Sequence, residues 1–183
     1  MKKSTFSIRN MVYCAMAAGL MAVCAWISIP VLDIAFTMQT FGIFLTLGLL
    51  GGKLGTAAIL VYLCLGAVGL PVFSSFQGGF GTLLGVTGGY IWGFLAAGLV
   101  YWAVTGRFGN RLKVAGMVLG MLVCYGCGTG WFLIAYTGTS SMGLTAVLIK
   151  CVVPYLIPDA LKISLAYFLS RRLNSVINTP PGT

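Results

Sequence analysis

The sequence contains no histidine and no glutamate, and its only acidic residues are Asp33 and Asp159. Without histidine or glutamate there is no basis for a Ser-His-Asp triad or for a pair of catalytic carboxylates. Cys124 and Cys127 have a metal or redox spacing, but no histidine or second cysteine pair accompanies them. Buried cysteines usually pack as small hydrophobic residues. We therefore expect no enzymatic activity, no metal site and no cofactor.

Charge of either sign is scarce, at 7% of the residues, against about 25% in soluble domains. Hydrophobic residues make up 59% of the chain and form continuous runs, which favours membrane-spanning helices over a β-barrel. The net charge of +9 comes from basic residues beside these runs. Such residues are typical of membrane flanks, so we expect a lipid bilayer and not a nucleic acid as the partner.

The apolar runs, and the prolines and glycines that separate them, predict an all-α, six-helix membrane bundle in a single domain, residues 1–183. Pro30 and Pro71 end two of the runs, because the residue before a proline resists the helical conformation. Glycines at 51 and 52 predict a turn between the second and the third predicted helices. The predicted helices cover about 8–29, 41–50, 54–70, 87–105, 114–136 and 158–173, with a half-helix from about 144 before the last.

Basic residues alternate between the predicted loops. Both termini, the turn at 51–53 and the loop at 106–113 carry lysine or arginine, whereas the other three loops carry none. This pattern predicts that both termini are cytoplasmic. Gln39, the loop after Pro71 and Asp159 then lie together near the outer face. Lys150 is not explained by the pattern; it is either an interfacial side chain or part of a site.

The segment from Val153 to Lys162 contains the most informative charges. Pro158 is typical of a helix start, which would place Asp159 in the first turn, near the positive end of the helix dipole. Lys162 follows at the i+3 position, on the same face of the helix. Charged residues at membrane depth are rare and usually paired or functional. The pair is either a structural ion pair or the polar floor of a small-molecule site.

The long loop after Pro71 is rich in glycine, serine and phenylalanine. Such a loop in a compact protein is often a lid, with Phe73, Phe76 and Phe80 as apolar cover. The alternative is a loop anchored at the membrane interface by its aromatic residues. It is not a phosphate-binding loop, because no Gly-Lys-Ser/Thr sequence follows.

Two further positions can contribute polar groups on the same side. Gly89 allows close backbone approach at the start of the fourth helix, and Tyr90 follows it with a hydroxyl group. Tyr90 is either a site residue or an interfacial anchor. Gln39 offers an amide in a connection where solubility does not require one.

Small residues recur at four-residue spacing on two helices. Ala18 and Ala22 form one such pair, and glycines at 116 and 120 and at 126 and 130 form two more. This spacing lets another helix approach closely. One pair can serve packing inside the chain and another can form a partner face, and the spacing does not assign them.

Several motifs together resemble the BioY family, the biotin-specific S components of energy-coupling factor (ECF) transporters. They occur in the family's order along nearly the whole chain. The matching stretches are Trp26-Ile27-Ser28-Ile29-Pro30, Thr37-Met38-Gln39-Thr40, Gly69-Leu70-Pro71-Val72-Phe73, Phe76-Gln77-Gly78-Gly79, Thr87-Gly88-Gly89-Tyr90 and Val153-Pro154-Tyr155-Leu156-Ile157-Pro158-Asp159-Ala160-Leu161-Lys162.

The resemblance implies a prokaryotic plasma-membrane protein that takes up biotin. It implies a biotin pocket near the outer face, and coupling to a membrane-embedded T component and two cytoplasmic ATPases. Ala18 and Ala22 match the family's alanine motif for docking the T component. The biotin-binding residues that we expect are Asp159, Lys162, Tyr90, Gln39, Phe73, Phe76 and Gly89.

A second interpretation is a stand-alone secondary transporter or channel for a small anionic vitamin. That class commonly has internal repeats or broken helices in both halves. The only predicted broken segment lies in the last third of the chain, which favours the S component.

Overall fold

The structure is a computed structural model that describes residues 7–29, 36–136, 148 and 152–177. Helices dominate these parts of the chain, which confirms the predicted all-α bundle. Asp33, Lys150 and nearly all of the predicted half-helix from 144 lie outside the described residues. The α-helices are α1 (Ile8–Trp26), α2 (Gln39–Ala67), α3 (Phe80–Leu83), α4 (Gly88–Phe108), α5 (Lys113–Tyr136) and α6 (Val153–Ile177), and single 3₁₀ turns lie at Ser74–Phe76 and Asn110–Leu112.

Four of the described helices are long and apolar enough to cross a membrane. They are α1, α2, α4 and most of α5. Helix α6 is also long, but it carries Asp159, Lys162, Arg171 and Arg172 along its length. These charges lower its hydropathy. The arrangement fits a multi-pass protein of the cell membrane.

Helix α2 combines the second and third predicted helices. The two parts meet at Gly51, whose φ of 76° and ψ of 175° interrupt the helical backbone. Glycine adopts a positive φ at little cost, whereas a side chain there would be strained. The predicted turn is therefore confirmed as a kink. The helix begins at Gln39, two residues earlier than predicted, and ends at Ala67, three residues earlier than the predicted 70.

The first helix is shorter than predicted. Helix α1 ends at Trp26, because the following residues form a short antiparallel ladder, in which strand β1 (Ser28–Ile29) pairs with β2 (Phe36–Thr37). The prediction of helix up to residue 29 is wrong, since extended pairing replaces the last turn. The ladder brings Phe36 and Thr37 back beside the end of α1.

Helix α6 begins at Val153 and continues through Pro158, so the predicted bend and helix start at Pro158 are wrong. A proline in the first turn, such as Pro154, loses no hydrogen bond. Pro158 removes only the bond to the carbonyl of Pro154, four residues earlier, at the very start of the helix. Asp159 therefore lies in the second turn. It depends on side-chain partners and not on the first-turn dipole.

The small-residue pairs have different locations. Ala18 and Ala22 are 2% and 5% exposed and lie in the hydrophobic core, on the face of α1 that packs against α2. Gly120 packs against α4, since an added Cβ would lie 3.0 Å from the Ala97 carbonyl oxygen. In contrast, a Cβ at Gly126 or at Gly130 would meet no described atom within 4 Å. The first two pairs thus serve internal packing, and the third faces away from it.

Candidate small-molecule site

The two charges predicted to form the site are in contact. Lys162 Nζ lies 2.9 Å from Asp159 Oδ1, and both residues are buried, at 5% and 4% exposure. Their i, i+3 spacing on α6 places them on one face of the helix. This confirms the predicted pairing. A buried pair is stable only when further hydrogen bonds satisfy its remaining donors and acceptors.

Asp159 receives those hydrogen bonds from two other helices. Tyr125 on α5 donates its hydroxyl to Asp159 Oδ2 at 2.6 Å. Thr40 on α2 donates its hydroxyl to Asp159 Oδ1 at 3.1 Å. Hydrogen bonds to an ionised acceptor are shorter and stronger than neutral ones. The carboxylate therefore joins α2, α5 and α6 at one point.

Lys162 connects the same point to the β-ladder. Its ammonium group donates to the Thr37 carbonyl oxygen at 2.7 Å and lies 3.8 Å from the centroid of the Phe36 ring. A cation over an aromatic face is attracted by the ring quadrupole. The short ladder after α1 thus supplies both an acceptor and an aromatic surface to the lysine.

Gln39 anchors a second polar chain. Its side-chain nitrogen donates to the Tyr62 hydroxyl at 2.8 Å, and Tyr62 donates in turn to the Val72 carbonyl oxygen at 2.9 Å. Gln39 is 5% exposed. These two hydrogen bonds fix the start of α2 to the loop that follows α2. The amide oxygen of Gln39 has acceptor capacity at the edge of the site.

These groups border a cavity between α2, α4, α5 and α6. Its volume is about 80 Å³, enough for several ordered water molecules. Pockets for small-molecule ligands have volumes of roughly 300–1,000 Å³. The walls must therefore move apart to admit a vitamin-sized ligand. The cavity is lined by Thr37, Gln39, Thr40, Ser74, Thr87, Tyr90, Ile91, Phe94, Met121, Cys124, Tyr125, Tyr155, Asp159 and Lys162.

Four of the seven residues expected to bind the ligand line this cavity: Asp159, Lys162, Tyr90 and Gln39. The other three, Phe73, Phe76 and Gly89, are not among its lining residues.

The loop phenylalanines contact other parts of the protein. Phe73 is 1% exposed, packs edge-on against Tyr62 and fills the space beside Gly66. Phe76 is 62% exposed and stacks on Trp26 at 5.0 Å. The loop reaches the cavity through Ser74.

The backbone of this loop has an unusual conformation. Ser75 and Phe76 both have positive φ, at 56° and 58°. Non-glycine residues rarely adopt this region, and such outliers cluster at functional segments. Trp26 also donates its indole N–H to the Pro71 carbonyl oxygen at 2.7 Å. The loop is thus attached to the end of α1 and presents Ser74 to the cavity.

Gly89 has a packing role in this structure. A Cβ added there would collide with Trp131 and would lie 2.8 Å from the Cys127 carbonyl oxygen. Its small size lets α4 and α5 approach closely. The position next to it, Tyr90, turns toward the cavity instead.

Several cavity residues were not expected from the sequence as ligand-binding residues. Tyr125, Tyr155, Met121 and Cys124 lie within apolar helices, where aromatic and sulfur-containing side chains usually form core. Tyr155 stacks on Phe36 at 6.5 Å. Thr40 belongs to the stretch Thr37-Met38-Gln39-Thr40, but nothing in that stretch indicates that its hydroxyl points toward α6. Only the three-dimensional arrangement distinguishes these residues from ordinary packing.

The site can recognise a ligand with both polar and apolar parts. Three donors occupy Asp159, which as a carboxylate has about four acceptor positions. The hydrogen bonds described above use two of the three N–H donors of Lys162. Among the described residues, one acceptor and one donor therefore remain for a ligand. Ile91, Phe94 and Met121 supply the apolar wall opposite.

The fold and the site define a class of protein: a multi-pass membrane protein whose helix bundle contains a small cavity with both polar and apolar walls. Residues 1–179 match the model of the BioY family. The chain belongs to this family, whose members are transport proteins and not enzymes.

Curated relatives agree with this assignment. A protein named probable biotin transporter BioY, of Pyrococcus horikoshii, is 35% identical over 159 residues, which is 87% of this chain and 92% of that protein. The biotin transporter BioY of Thermotoga maritima is 45% identical over 93 residues, which is 51% of this chain and 55% of that protein.

A solved structure has the same fold. It is the crystal structure of an S component for biotin from an ECF-type ABC transporter, with a TM-score of 0.82 and 24% identity. The similarity covers 96% of this chain and 95% of that one. The whole bundle, and not just a part of it, is therefore shared.

Proposed function

We propose that the chain is the biotin-binding S component of an ECF transporter. The observation that carries this proposal is the enclosed Asp159–Lys162 pair, which borders the cavity together with the hydroxyl groups of Thr40 and Tyr125. The names of the two relatives support biotin as the ligand. Both termini are then cytoplasmic, and the cavity faces the outer side of the membrane.

Biotin has the groups that this cavity can satisfy. Its ureido ring has two N–H donors and a carbonyl, and its tail ends in a carboxylate. The remaining acceptor position of Asp159 suits a ureido N–H group, and the remaining donor of Lys162 suits a ligand oxygen. The ring system and the tail pack against Ile91, Phe94 and Met121. A nanomolar complex needs about 12 kcal/mol, so closure of the walls over the ligand contributes to binding.

The partners of an S component are a membrane-embedded T component and two ATPases. Ala18 and Ala22 are buried against α2, so they do not offer a free docking surface in this structure. The exposed face of α1 contains Ala15 and Gly19 at four-residue spacing, and no described atom lies within 4 Å of a Cβ placed on Gly19. We infer that the T component contacts this exposed face of α1, which contains Ala15 and Gly19.

A titration of the purified chain with biotin tests the proposal. The expected result is saturable binding by the chain alone, without the T component or ATPases, because the cavity lies within one chain. Absence of binding at micromolar biotin would contradict it. An uptake assay in proteoliposomes distinguishes the S component from the alternative, a stand-alone secondary transporter. Biotin accumulation by the chain alone, driven by an ion gradient, would identify the secondary transporter.

A further inference from the structure

A second and larger cavity lies at the opposite end of the bundle. It is a cleft of about 710 Å³ between the start of α1, the part of α2 before the kink and the end of α6. Its walls are largely apolar, with Met16, Leu20, Leu49 and Leu50 among them. This volume is within the range of pockets that hold small-molecule ligands. The biotin site does not use it, since the two cavities share no lining residue.

Two polar groups distinguish this cleft from a packing defect. Thr46 borders it and is 1% exposed, and its hydroxyl has no hydrogen-bond partner among the described residues. An unsatisfied buried hydroxyl costs about 1–3 kcal/mol, so a ligand that supplied a partner would stabilise it. Arg9, in the first turn of α1, also borders the cleft. The described lining residues include no carboxylate to neutralise it.

The surroundings favour an anionic partner. Arg171 and Arg172 are exposed near the end of α6, close in sequence to Asn174, which lines the cleft. Asn174 donates its amide to the Gly48 carbonyl oxygen at 3.2 Å and so fixes the end of α6 against α2. Basic pockets between membrane helices commonly bind anionic lipid head groups. The apolar walls suit an acyl chain, which a free phosphate ion lacks.

We propose that this cleft is a binding site for an anionic phospholipid from the surrounding bilayer. Arg9 contacts the phosphate, one acyl chain lies along Leu20 and Leu49, and Thr46 donates its hydroxyl to an ester oxygen of the lipid. The bound lipid fills the space between α1, α2 and α6. It thereby stabilises the end of the bundle remote from the vitamin cavity.

Native mass spectrometry of the detergent-purified chain tests this proposal. The probes are phosphatidylglycerol and phosphatidylcholine with identical acyl chains. The wild-type chain should retain a phosphatidylglycerol adduct at least fivefold better than a phosphatidylcholine adduct. Arg9→Gln should reduce the retention of phosphatidylglycerol about fivefold, the effect of one basic residue near a lipid head group. Thr46→Val, which preserves the side-chain shape, should also reduce it.

The matched control is Arg107→Gln, at the exposed end of α4 and away from the cleft. It should leave lipid retention within twofold of wild type. Equal retention of the two lipids would overturn the proposal, as would an equal loss in Arg9→Gln and Arg107→Gln. A protein dimer without a lipid adduct would assign the cleft to a second copy and would also overturn it. Biotin binding should be the same in all three variants, which separates this test from that of the vitamin site.

Discussion

At the residue scale, the central feature is Asp159, whose carboxylate accepts hydrogen bonds from side chains on three helices. Thr40, Tyr125 and Lys162 come from α2, α5 and α6, and each donates to the same carboxylate. A charged residue at membrane depth costs roughly 2.5–3.5 kcal/mol on insertion scales. The donors offset this cost, and they fix the carboxylate at the cavity wall. The same contacts therefore serve both stability and ligand recognition.

Removing one donor should have a measurable cost. Tyr125→Phe deletes the 2.6 Å hydrogen bond to Asp159 and should lower the free energy of unfolding by about 1.5–3 kcal/mol, since the acceptor is charged. Biotin affinity should fall as well. Tyr101→Phe is the control, because the buried Tyr101 hydroxyl has no partner among the described residues. Its removal should be neutral or stabilising in thermal unfolding in detergent. Equal destabilisation by both substitutions would contradict the assigned role of Tyr125.

A double variant separates the structural role of the ion pair from its role in binding. Asp159→Asn alone leaves Lys162 as an uncompensated buried charge and should cost about 3–5 kcal/mol of stability. Adding Lys162→Met removes that charge, so most of the stability should return. The Kd for biotin should nevertheless remain at least tenfold above that of wild type. If the double variant binds biotin as wild type does, the pair is only structural.

At the element scale, close contacts between helices decide which glycines can change. Gly89 lies where α4 meets α5 beside Trp131, whereas no described atom lies within 4 Å of a Cβ placed on Gly126 of α5. Both are helical glycines, Gly89 at the start of α4 and Gly126 in the middle of α5. They differ in what an added methyl group would meet.

Gly89→Ala should therefore destabilise the protein by about 1–3 kcal/mol through overpacking. Gly126→Ala should be neutral or should stabilise by up to about 1 kcal/mol, the difference in helix propensity. Melting temperatures in detergent measure both. A normal melting temperature for Gly89→Ala combined with lost biotin binding would restore the predicted ligand-binding role of Gly89.

The two faces of α1 allow a second comparison at this scale. Gly19→Trp adds a large side chain to the exposed face, so it should preserve folding and biotin binding but reduce co-purification with the T component. Ala18→Trp places the same side chain in the α1–α2 interface and should lower the melting temperature. A folded Ala18→Trp protein that loses only the T component would return the docking role to Ala18 and Ala22.

At the scale of the whole molecule, the two ends of the bundle differ. One end encloses the cavity around Asp159, next to the β-ladder and the loop with Ser74. The other end has the larger cleft beside Arg9 and Asn174. Helix α2 reaches both, since it borders the first cavity at Gln39 and Thr40 and the second at Thr46 and Leu50.

Most of this architecture could be predicted from the sequence, because long apolar runs and prolines or glycines mark membrane helices directly. The Asp159–Lys162 contact was also predictable, since i, i+3 spacing on a helix is a local property. The end of α1 was not, because it depends on the pairing of Ser28 with Thr37, nine residues later in the chain, which local helix preference does not determine. The continuity of α6 through Pro158 was missed because a proline near a helix start has only a weak effect.

The cavity lining was predictable only in part, for a physical reason. Polar and charged residues in an apolar chain need partners, so Gln39 and Asp159 signal a site. Tyr125 and Phe73 carry no such signal, because an aromatic residue on a membrane helix or in a loop packs equally well against a cavity and in the hydrophobic core. Tyr125 turns toward Asp159, whereas Phe73 turns toward Gly66. That choice depends on tertiary packing.

The most direct test of the biotin site is a structure of the chain with biotin bound. We expect the ligand in the cavity between α2, α4, α5 and α6, with polar atoms within hydrogen-bonding distance of Asp159 or Lys162. The volume of the cavity should be larger than the present value of about 80 Å³. Biotin bound elsewhere on the chain, with the Asp159–Lys162 pair and its cavity unchanged, would contradict the proposed site.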